Sequence, residues 1–552
     1  MTLFGRANSA PASASPTGSQ ASYTDEKDGI VDEKVLTDIH VSELDSAGNA
    51  IHNGQLGFDD SIQGGLGRHL GLVSTTLLVV GRIIGTGIFS TPATILKGVG
   101  SPGAALCLWV FGYLLSMSGL LVWIELGCMF PRSGGEKVYL EAAYKNPKYL
   151  MTILFAVNAI FLGFTASGCI VFANNILTAA GVTASQWNAR GIAVGVIFFV
   201  TALHTIRPGF GIKVMNFLTI VKIALLSFVV VTGWVVLGGG ISKTKVADPH
   251  SSFRNSFEGT SSSSYAFASA IFKVLNSYSG WSNSALVLNE VKNPVRTLKI
   301  AGPAGLTLCF FFYLFANIAY FAATPVATLK TTSLTVASQF FGVVFNAQAK
   351  KAVSVFVALS ALGNVITVTF AQSRVNQELA KEGILPWSKA LASNWPFGSP
   401  FAGLIVHLIP SVIVILAPPP GIAYNFILDI EGYPGQIINL LVVVGLFYLR
   451  WKYPNINRPF KVWLPVAVFF MAAACFLLVA PFLRPPGGIG DTPPLPYWLY
   501  PIIGIAVFAM GIVWWFVWRV LLPRLGNYKL VSRVDTLSDG TRVTQFDKVK
   551  ND

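Results

Sequence analysis

Gly81-Arg82-Ile83-Ile84-Gly85-Thr86-Gly87-Ile88-Phe89 lies inside an apolar segment that is long enough to cross a bilayer. Backbone within a membrane must satisfy its own hydrogen bonds, so irregular backbone survives only where protein or a water-filled cavity covers it. Gly85 and Gly87 weaken the helix near the middle of this segment. The stretch therefore predicts a helix that is broken at mid-membrane depth and leaves peptide groups available on both sides of the break.

The composition is that of an integral membrane protein. Of the 552 residues, 53% are hydrophobic and 12% are charged, whereas a soluble domain carries about 25% charged residues. The net charge of +14 comes from Lys and Arg in short loops between apolar runs, where they set membrane topology, so we expect no nucleic-acid partner. The five cysteines fall in apolar segments and form no CxxC pair, so we expect no disulfide framework, metal site or cofactor.

Twelve segments have the length and composition expected of membrane-spanning helices, which need about 20 mostly apolar residues. The sequence therefore predicts an all-α polytopic protein with twelve transmembrane helices. Segments four and nine are short, and segment ten is interrupted by Asp429, Glu431, Gly432 and Pro434. The segments are 70–96, 102–129, 149–180, 189–206, 214–238, 262–290, 300–322, 351–381, 402–418, 422–450, 461–483 and 497–522.

Loop charge predicts the orientation. With the N-terminus inside, the inner loops carry sixteen Lys and Arg residues and the outer loops nine, which places both termini in the cytoplasm. Residues 1–68 are expected to be a disordered cytoplasmic tail, and residues 523–552 a second cytoplasmic tail. Lys27 and Lys34 are candidate ubiquitin sites in the first tail, although solvated tail lysines are the plainer interpretation.

A second break is predicted in segment six, in Lys273-Val274-Leu275-Asn276-Ser277-Tyr278-Ser279-Gly280-Trp281-Ser282-Asn283. Six of the eight residues from Asn276 to Asn283 are polar or glycine, which suits a wet cavity better than lipid. Two interrupted helices at corresponding positions of two halves indicate an inverted-repeat transporter. The repeats would be residues 69–238 and 262–450, with helices eleven and twelve at 461–522.

The two breaks together predict a site for a small zwitterion. Amide groups at the start of a half-helix attract a carboxylate, and carbonyl oxygens at the end of one attract an ammonium. Tyr278 and Trp281 would line the side-chain pocket or act as a gate. The alternatives are a GxxxG packing face at the first break and a polar helix-packing seam at the second. The candidate binding residues are Ile83, Ile84, Gly85, Thr86, Gly87, Ile88, Asn276, Ser279 and Gly280.

Ionisable residues inside apolar segments are functional candidates. Lys222 in segment five could cycle a proton or act as a fixed cation, or it could extend towards the inner surface. The remaining charges form structural ion pairs in the simpler interpretation. They are Arg82, Glu125, Lys273, Asp429 and Glu431. Arg82 would pair with Glu125, Asp429 or Glu431. Lys273 would pair with Asp429 or Glu431.

The chain resembles the amino acid–polyamine–organocation superfamily, within it the L-type amino acid transporters and their fungal methionine-permease branch. The similarity spans residues 66 to 525. The motifs responsible are 81–89, Pro131-Arg132-Ser133-Gly134-Gly135-Glu136, Thr219-Ile220-Val221-Lys222, and Ser277-Tyr278-Ser279-Gly280-Trp281 through Glu290-Val291-Lys292-Asn293-Pro294-Val295-Arg296.

The resemblance implies a LeuT-like fold with a five-plus-five inverted repeat, discontinuous helices one and six, and alternating access. It implies that the carboxylate of an amino acid meets the amides near Thr86, and that its amine meets carbonyl groups near Ile83 and Asn276. Lys222 matches the lysine that replaces a sodium ion in sodium-independent relatives, which favours proton coupling or exchange.

Two departures from the L-type exchangers stand out. Asn276 lies where those exchangers carry a bulky aromatic gate. The loop at about 179–190 lacks the cysteine that links them to a glycoprotein, so we expect no disulfide-linked heavy chain. The leading hypothesis is a plasma-membrane permease for a neutral amino acid, with methionine favoured and a proton as the coupling ion. The alternatives are an obligate exchanger and an amino-acid receptor that transports little.

Overall fold

The computed structural model describes residues 70–550, with gaps at 132–133, 184, 287, 289–290, 332–335, 418–422, 456–457, 486–487 and 489–494. Several predictions fall outside the described residues: the N-terminal tail with Lys27 and Lys34, the motif residues Arg132 and Ser133, and Glu290.

Most of the described chain is helical, and the helices follow the predicted apolar segments closely. In chain order they are α1 (Leu72–Ile83), α2 (Gly87–Val99), α3 (Pro102–Met129), α4 (Glu136–Ala143), α5 (Leu150–Phe161), α6 (Ala166–Ala180), α7 (Gln186–Ile206), α8 (Pro208–Leu237), α9 (Ser264–Tyr278), α10 (Asn283–Leu286), α11 (Pro294–Ala323), α12 (Val326–Thr331), α13 (Val336–Val344), α14 (Ala347–Lys381), α15 (Ser388–Ala392), α16 (Phe401–Leu416), α17 (Ala423–Lys452), α18 (Leu464–Val479), α19 (Leu499–Phe516) and α20 (Leu522–Leu525).

The helices confirm a multi-pass membrane protein. Within the described ranges, nine helical spans are long and apolar enough to cross a bilayer, or ten when α1 and α2 count as one bent span. Helices α9 and α16, with 15 and 16 residues, are shorter than the roughly 20 residues that a full span needs. The total of twelve spans therefore stays a prediction.

Three features of the helices differ from the predicted segments. The sequence predicts that segment six runs to residue 290, but α9 ends at Tyr278, and Pro294 occupies the first turn of α11, where its missing N–H costs nothing. Helix α17 runs without interruption through Asp429, Glu431, Gly432 and Pro434. Segment three is divided into α5 and α6, and the carbonyl group of Gly163 between them accepts a hydrogen bond from His407 Nδ1 at 2.8 Å.

The centre of the bundle is formed by α14 and the two broken segments. Among the candidate spans of the described residues, α14 is the most enclosed, with 72% of an 18-residue apolar stretch buried, whereas the span Leu499–Leu525, which contains α19, has 11% buried and lies at the periphery. Half-helix α2 packs against half-helix α9, and α11 packs against both α1 and α3. The two breaks are consequently surrounded by protein, as irregular backbone at membrane depth requires.

The C-terminal tail carries the two β-strands of the described residues, so the prediction of an all-α protein is wrong there. Strands β1 (Tyr528–Thr536) and β2 (Arg542–Lys550) pair antiparallel as a hairpin. Asp535 pairs with Lys389 of α15 at 2.7 Å, and the ring of Phe546 contacts Trp518 at 5.0 Å. We call the end of the bundle that carries this β-hairpin the hairpin end. The sequence prediction of a plain polar tail missed this docked element.

Buried ion pairs also join helices near the hairpin end. Glu125 of α3 has no exposed side-chain surface and contacts the guanidinium groups of Arg450 and Arg458, the second at 3.3 Å. Lys137 of α4 contacts Glu382 and, at 3.0 Å, Glu141. The prediction of Glu125 as a partner for Arg82 is therefore wrong, because two other arginines surround its carboxylate.

Candidate functional site

The first break is three residues long. Helix α1 ends at Ile83, and Ile84 departs from helical geometry with ψ of 89°. Helix α2 begins at Gly87, bent by 42° from α1. The amide groups of Thr86, Gly87 and Ile88 lie at the N-terminal end of α2. The first N–H groups of a helix lack partners within it, so these amide groups are in the place where the sequence predicts a carboxylate site.

Close backbone approach explains the glycines at this break. A Cβ atom on Gly85 would lie 2.8 Å from Asn364 Nδ2, and one on Gly87 would lie 2.5 Å from Ser277 Oγ. Both distances are below any normal contact with a Cβ atom. Glycine is needed here so that the break can approach Asn364 of α14 and α2 can approach α9, and a GxxxG packing face alone does not account for these two positions.

The second break follows Tyr278, where α9 ends. Ser279 is extended, and its N–H donates to the carbonyl oxygen of Asn276 at 3.0 Å. Gly280 has a φ of +108°, a conformation that favours glycine. A Cβ atom there would also lie 2.3 Å from Arg82 Cγ. The second break therefore rests directly against the first.

One unpredicted side chain joins the two breaks. The hydroxyl group of Tyr313, on α11, shares its single hydrogen between the carbonyl oxygens of Ile83 at 2.8 Å and Ser277 at 3.1 Å. Thr91 Oγ1 and Ser277 Oγ form a further hydrogen bond of 3.0 Å between the half-helices. The tyrosine lies in an ordinary apolar helix, so nothing in the sequence pattern singled it out.

The carbonyl groups predicted to bind an ammonium are partly engaged. The oxygen of Ile83 accepts from Tyr313, and that of Gly85 lies 3.4 Å from Ser360 Oγ. The oxygen of Arg82 accepts from Asn364 Nδ2 at 3.1 Å. A carbonyl oxygen has two lone pairs, so each keeps one position for a ligand.

Both breaks face a single cavity of about 320 Å³, a volume suited to a small organic ligand. Most predicted site residues contribute to its wall. These are Arg82, Ile83, Gly85, Thr86, Gly87, Asn276, Ser279, Gly280, Trp281 and Glu431. Polar residues that the sequence analysis did not single out complete it: Ser116, Thr165, Ser167, Asn364, Gln372, Gln436 and Asn439.

The cavity extends from the breaks towards the hairpin end. Gln372 lies about two turns nearer that end of α14 than Asn364 does, and Asn439 lies about two turns nearer it than Glu431 on α17. On the other side of the breaks, α2 and α9 are in direct contact. The structure therefore represents a state that is closed at the end opposite the β-hairpin.

The two aromatic gate candidates occupy different places. Trp281 lines the cavity, and its ring contacts that of Trp123 at 5.1 Å. Tyr278 is fully buried behind the cavity wall, where its ring packs against Trp109 at 5.8 Å and Tyr313 at 5.1 Å. Tyr278 is therefore a packing residue in this state, because its side chain points away from the cavity.

The side chains of Ile84 and Ile88 are also in the apolar core, each fully buried. Neither contributes to the cavity wall in the described structure. Any role of these two residues in binding is therefore confined to their backbone groups.

The charged candidates do not all belong to the cavity. Lys222 is 1% exposed, and its ammonium group donates to the carbonyl oxygen of Gly81 at 3.0 Å. It therefore points into the helix bundle and does not extend to a membrane surface. Lys273 donates to Ser269 at 2.7 Å and lies 3.7 Å from Asp429. Arg82 and Glu431 instead share the cavity wall.

The family model and the most similar proteins that we compared all point to amino acid permeases. Residues 70–508 match the family model for amino acid permeases. The chain is 41% identical over 490 residues to a high-affinity methionine permease of Saccharomyces cerevisiae, covering 88% of this chain and 85% of the yeast protein. It is 32% identical to a low-affinity methionine permease of the same organism, covering 87% and 88%.

An animal relative shares the same region. The b(0,+)-type amino acid transporter 1 of Mus musculus is 29% identical over 430 residues, covering 76% of this chain and 84% of the mouse protein. These relatives are named as permeases and transporters, so the chain is a protein of amino acid transport and not an enzyme. The match to the family model and the identity to the yeast permeases show that this chain, with its two broken helices and its polar cavity, belongs to the amino acid permease family.

Proposed function

We propose that this protein carries a neutral L-amino acid, with methionine as the favoured substrate, across the plasma membrane by alternating access. The main support is the meeting of two helix breaks at one polar cavity. The 41% identity to a yeast methionine permease supports the choice of methionine. We place both termini in the cytoplasm, on the loop charges of the sequence.

The substrate would bind as a zwitterion between the breaks. Its carboxylate would meet the amide groups of Thr86, Gly87 and Ile88 at the positive end of α2. Its ammonium group would use the remaining lone pairs of the carbonyl oxygens of Ile83 and Asn276. The peptide dipoles at the two breaks would stabilise both charges of the zwitterion.

The substrate side chain would lie against Trp281 and Phe470. Both residues line the cavity, and both are large and apolar. A thioether makes favourable contacts with aromatic rings, at about 0.3–1.5 kcal/mol each. These two aromatic rings therefore favour a substrate with a linear, sulfur-containing side chain.

Transport would be independent of sodium. The ammonium group of Lys222 is buried beside α1 and holds the carbonyl oxygen of Gly81, as a bound cation would. Among the described residues, no carboxylate lies within 4.0 Å of this nitrogen. An ammonium group at this position would take the place of a metal ion, and we propose a proton as the coupled ion.

The structure supports a cycle with two accessible sides. In this state the cavity extends towards the hairpin end, and α2 meets α9 at the other end. Opening the other side requires these half-helices to separate. We further propose that the permease works without a disulfide-linked heavy chain, and Lys27 and Lys34 of the N-terminal tail stay candidate ubiquitin sites.

Uptake of radiolabelled methionine into proteoliposomes tests the proposal. We expect saturable uptake that unlabelled methionine inhibits more strongly than any of the other nineteen amino acids does. Replacement of sodium by choline should leave the rate of uptake unchanged. Empty liposomes are the control. If no L-amino acid is bound or transported, with or without a pH gradient, the proposal is wrong.

Two alternatives have their own tests. Uptake that requires internal amino acid would identify an obligate exchanger. Binding without transport, with signalling lost after removal of residues 1–60, would identify a receptor.

A further inference from the structure

The cavity wall contains one acidic side chain among the described residues, and it lies opposite the two breaks. Glu431, on the continuous helix α17, is partly exposed to the cavity. Its carboxylate oxygens lie 3.4 Å from Ser167 Oγ and 3.5 Å from Asn276 Nδ2. Both contacts are long for hydrogen bonds to an ionised group, so the carboxylate keeps room for a proton or for water.

We propose that Glu431 carries the coupled proton: it binds one proton on the side where methionine enters and releases it on the side where methionine leaves. This inference rests on the proposed function, since it names the group that performs the coupling. The chemistry is a simple exchange, in which the carboxylate takes a proton from water to become a carboxylic acid and later returns it to water. One proton moves with each methionine.

Access to water distinguishes Glu431 from the other buried titratable groups. Lys222 does not line the cavity and is 1% exposed. Asp429 is 2% exposed and lies beside Lys273 on another face of α17. Glu136 of α4 accepts from the indole nitrogen of Trp123 at 2.9 Å and does not line the cavity. A proton carrier must meet the solution that fills the cavity, and Glu431 does.

The charges in the cavity define what moves with the substrate. Arg82 and Glu431 are the two charged side chains in the cavity wall of the described structure, so the empty cavity is neutral when both are ionised. Methionine brings its carboxylate to the start of α2, a few residues from Arg82, while peptide carbonyl groups surround its ammonium. The cavity then holds two cations and two carboxylates and is still neutral. A proton on Glu431 gives the loaded cavity one net positive charge, which is the charge that moves with methionine.

Asn276 connects the proposed substrate site with Glu431. Its side-chain amide faces Glu431, and its backbone carbonyl group belongs to the proposed ammonium site. A substrate that moves the second break also moves the amide group away from or towards the carboxylate. Charged groups on other neighbouring elements are already paired, namely Lys273 with Asp429, and Glu125 with Arg450 and Arg458.

The experiment compares two kinds of transport by the full-length protein in proteoliposomes. Exchange of internal for external methionine requires no net proton movement, whereas accumulation driven by a pH gradient does. With one proton per methionine, a gradient of about two pH units supports up to about a 100-fold ratio, because each unit is a factor of ten. A pH-sensitive dye inside the vesicles records proton entry directly.

For E431Q we expect at least about a tenfold loss of gradient-driven accumulation and loss of methionine-dependent proton entry, with exchange lowered by no more than about threefold. E431D should recover accumulation in part, because it restores an acid at the same position. E258Q, which removes an exposed loop carboxylate at the opposite end, is the matched control and should accumulate methionine as the unmodified protein does.

Each other result overturns the inference. If E431Q accumulates methionine normally, Glu431 does not carry the proton. If E431Q loses exchange as severely as accumulation, the carboxylate binds substrate instead. If the unmodified protein exchanges methionine but shows no gradient-driven accumulation, transport stands and proton coupling fails. If the unmodified protein does neither, the proposed function itself is wrong.

Discussion

Replacement of Gly87 by alanine is the sharpest test of the contact between the two breaks. The added Cβ atom would lie 2.5 Å from Ser277 Oγ, 2.8 Å from Ser277 Cβ and 2.9 Å from Ser277 Cα. Ordinary contact begins at 3.4 Å. The hydroxyl group can rotate away, but the Cβ and Cα atoms cannot, so the two half-helices must separate by about 0.6 Å, the difference between 3.4 and 2.8 Å.

The size of the effect follows from that separation. Inserting one carbon into a closely packed position costs about 1–3 kcal/mol. In the proposed cycle the two half-helices separate when the end opposite the β-hairpin opens, so the strain would fall on the closed state. A cost of about 1–3 kcal/mol in one state of the cycle corresponds to about a 5- to 150-fold change in its population. Gly87→Val adds a β-branched side chain and should abolish uptake.

The assay is the initial rate of methionine uptake in proteoliposomes, with thermal unfolding in detergent to verify folding. Gly195→Ala is the matched control, since nothing lies within 4 Å of a Cβ atom at that helical position. Adding Ser277→Gly to Gly87→Ala removes two of the three clashes and should restore part of the rate. Uptake at the unmodified rate in Gly87→Ala would refute the close approach of the two breaks.

Three further perturbations test other parts of the molecule. Lys222→Ala should weaken uptake and alter its pH dependence, and an unaltered pH profile would exclude a role in coupling. Glu125→Gln should lower the free energy of unfolding by about 3–5 kcal/mol, because it leaves the largely buried guanidinium group of Arg450 without a counter-charge. Chemical denaturation measures this loss, and a loss below about 1 kcal/mol would contradict the structural role. The hydrogen bond and charge of Lys389 lower the pKa of Asp535, so hairpin docking should be complete above the ordinary aspartate pKa of about 3.9 and weaken below it. Limited proteolysis of the hairpin across pH measures docking, and Asp535→Asn should remove the dependence.

The positions of both helix breaks could be predicted because glycine and polar residues weaken a membrane helix or are costly against lipid, and therefore mark backbone beside a cavity. Gly85, Gly87 and Gly280 each stand where a Cβ atom would collide with a neighbour. The pairing of Lys273 with Asp429 was among the predicted alternatives, since few charges are available at that depth. These features are local, or they concern rare residue types, and a single sequence records both.

Other features depend on side-chain direction, which a single sequence does not reveal. Tyr278 and Trp281 are three residues apart, yet the break between them turns one into the core and the other into the cavity. Tyr313 looks like any aromatic residue of an apolar helix until α11 is packed against α1. The β-hairpin was missed because its strands are polar and mixed in composition, and their docking depends on a distant helix, α15.

The kind of interaction at each place fits the motion that a carrier needs. Hydrogen bonds of neutral groups join the breaks to their neighbours: Tyr313 to Ile83, Asn364 to Arg82, and Ser360 to Gly85. Each is worth about 0.5–1.5 kcal/mol net, so a substrate can replace one with an equivalent contact.

Near the hairpin end, by contrast, Glu125 binds two arginines, and breaking such a buried pair costs about 3–5 kcal/mol. A cycle that broke this cluster in every turn would be slow. The inexpensive contacts therefore lie where helices α1, α2 and α9 must rearrange, and the ion pairs join α3 to α17 and the loop that follows it. We infer that α3 and the hairpin-end part of α17 move together, or remain still together, while the half-helices open and close.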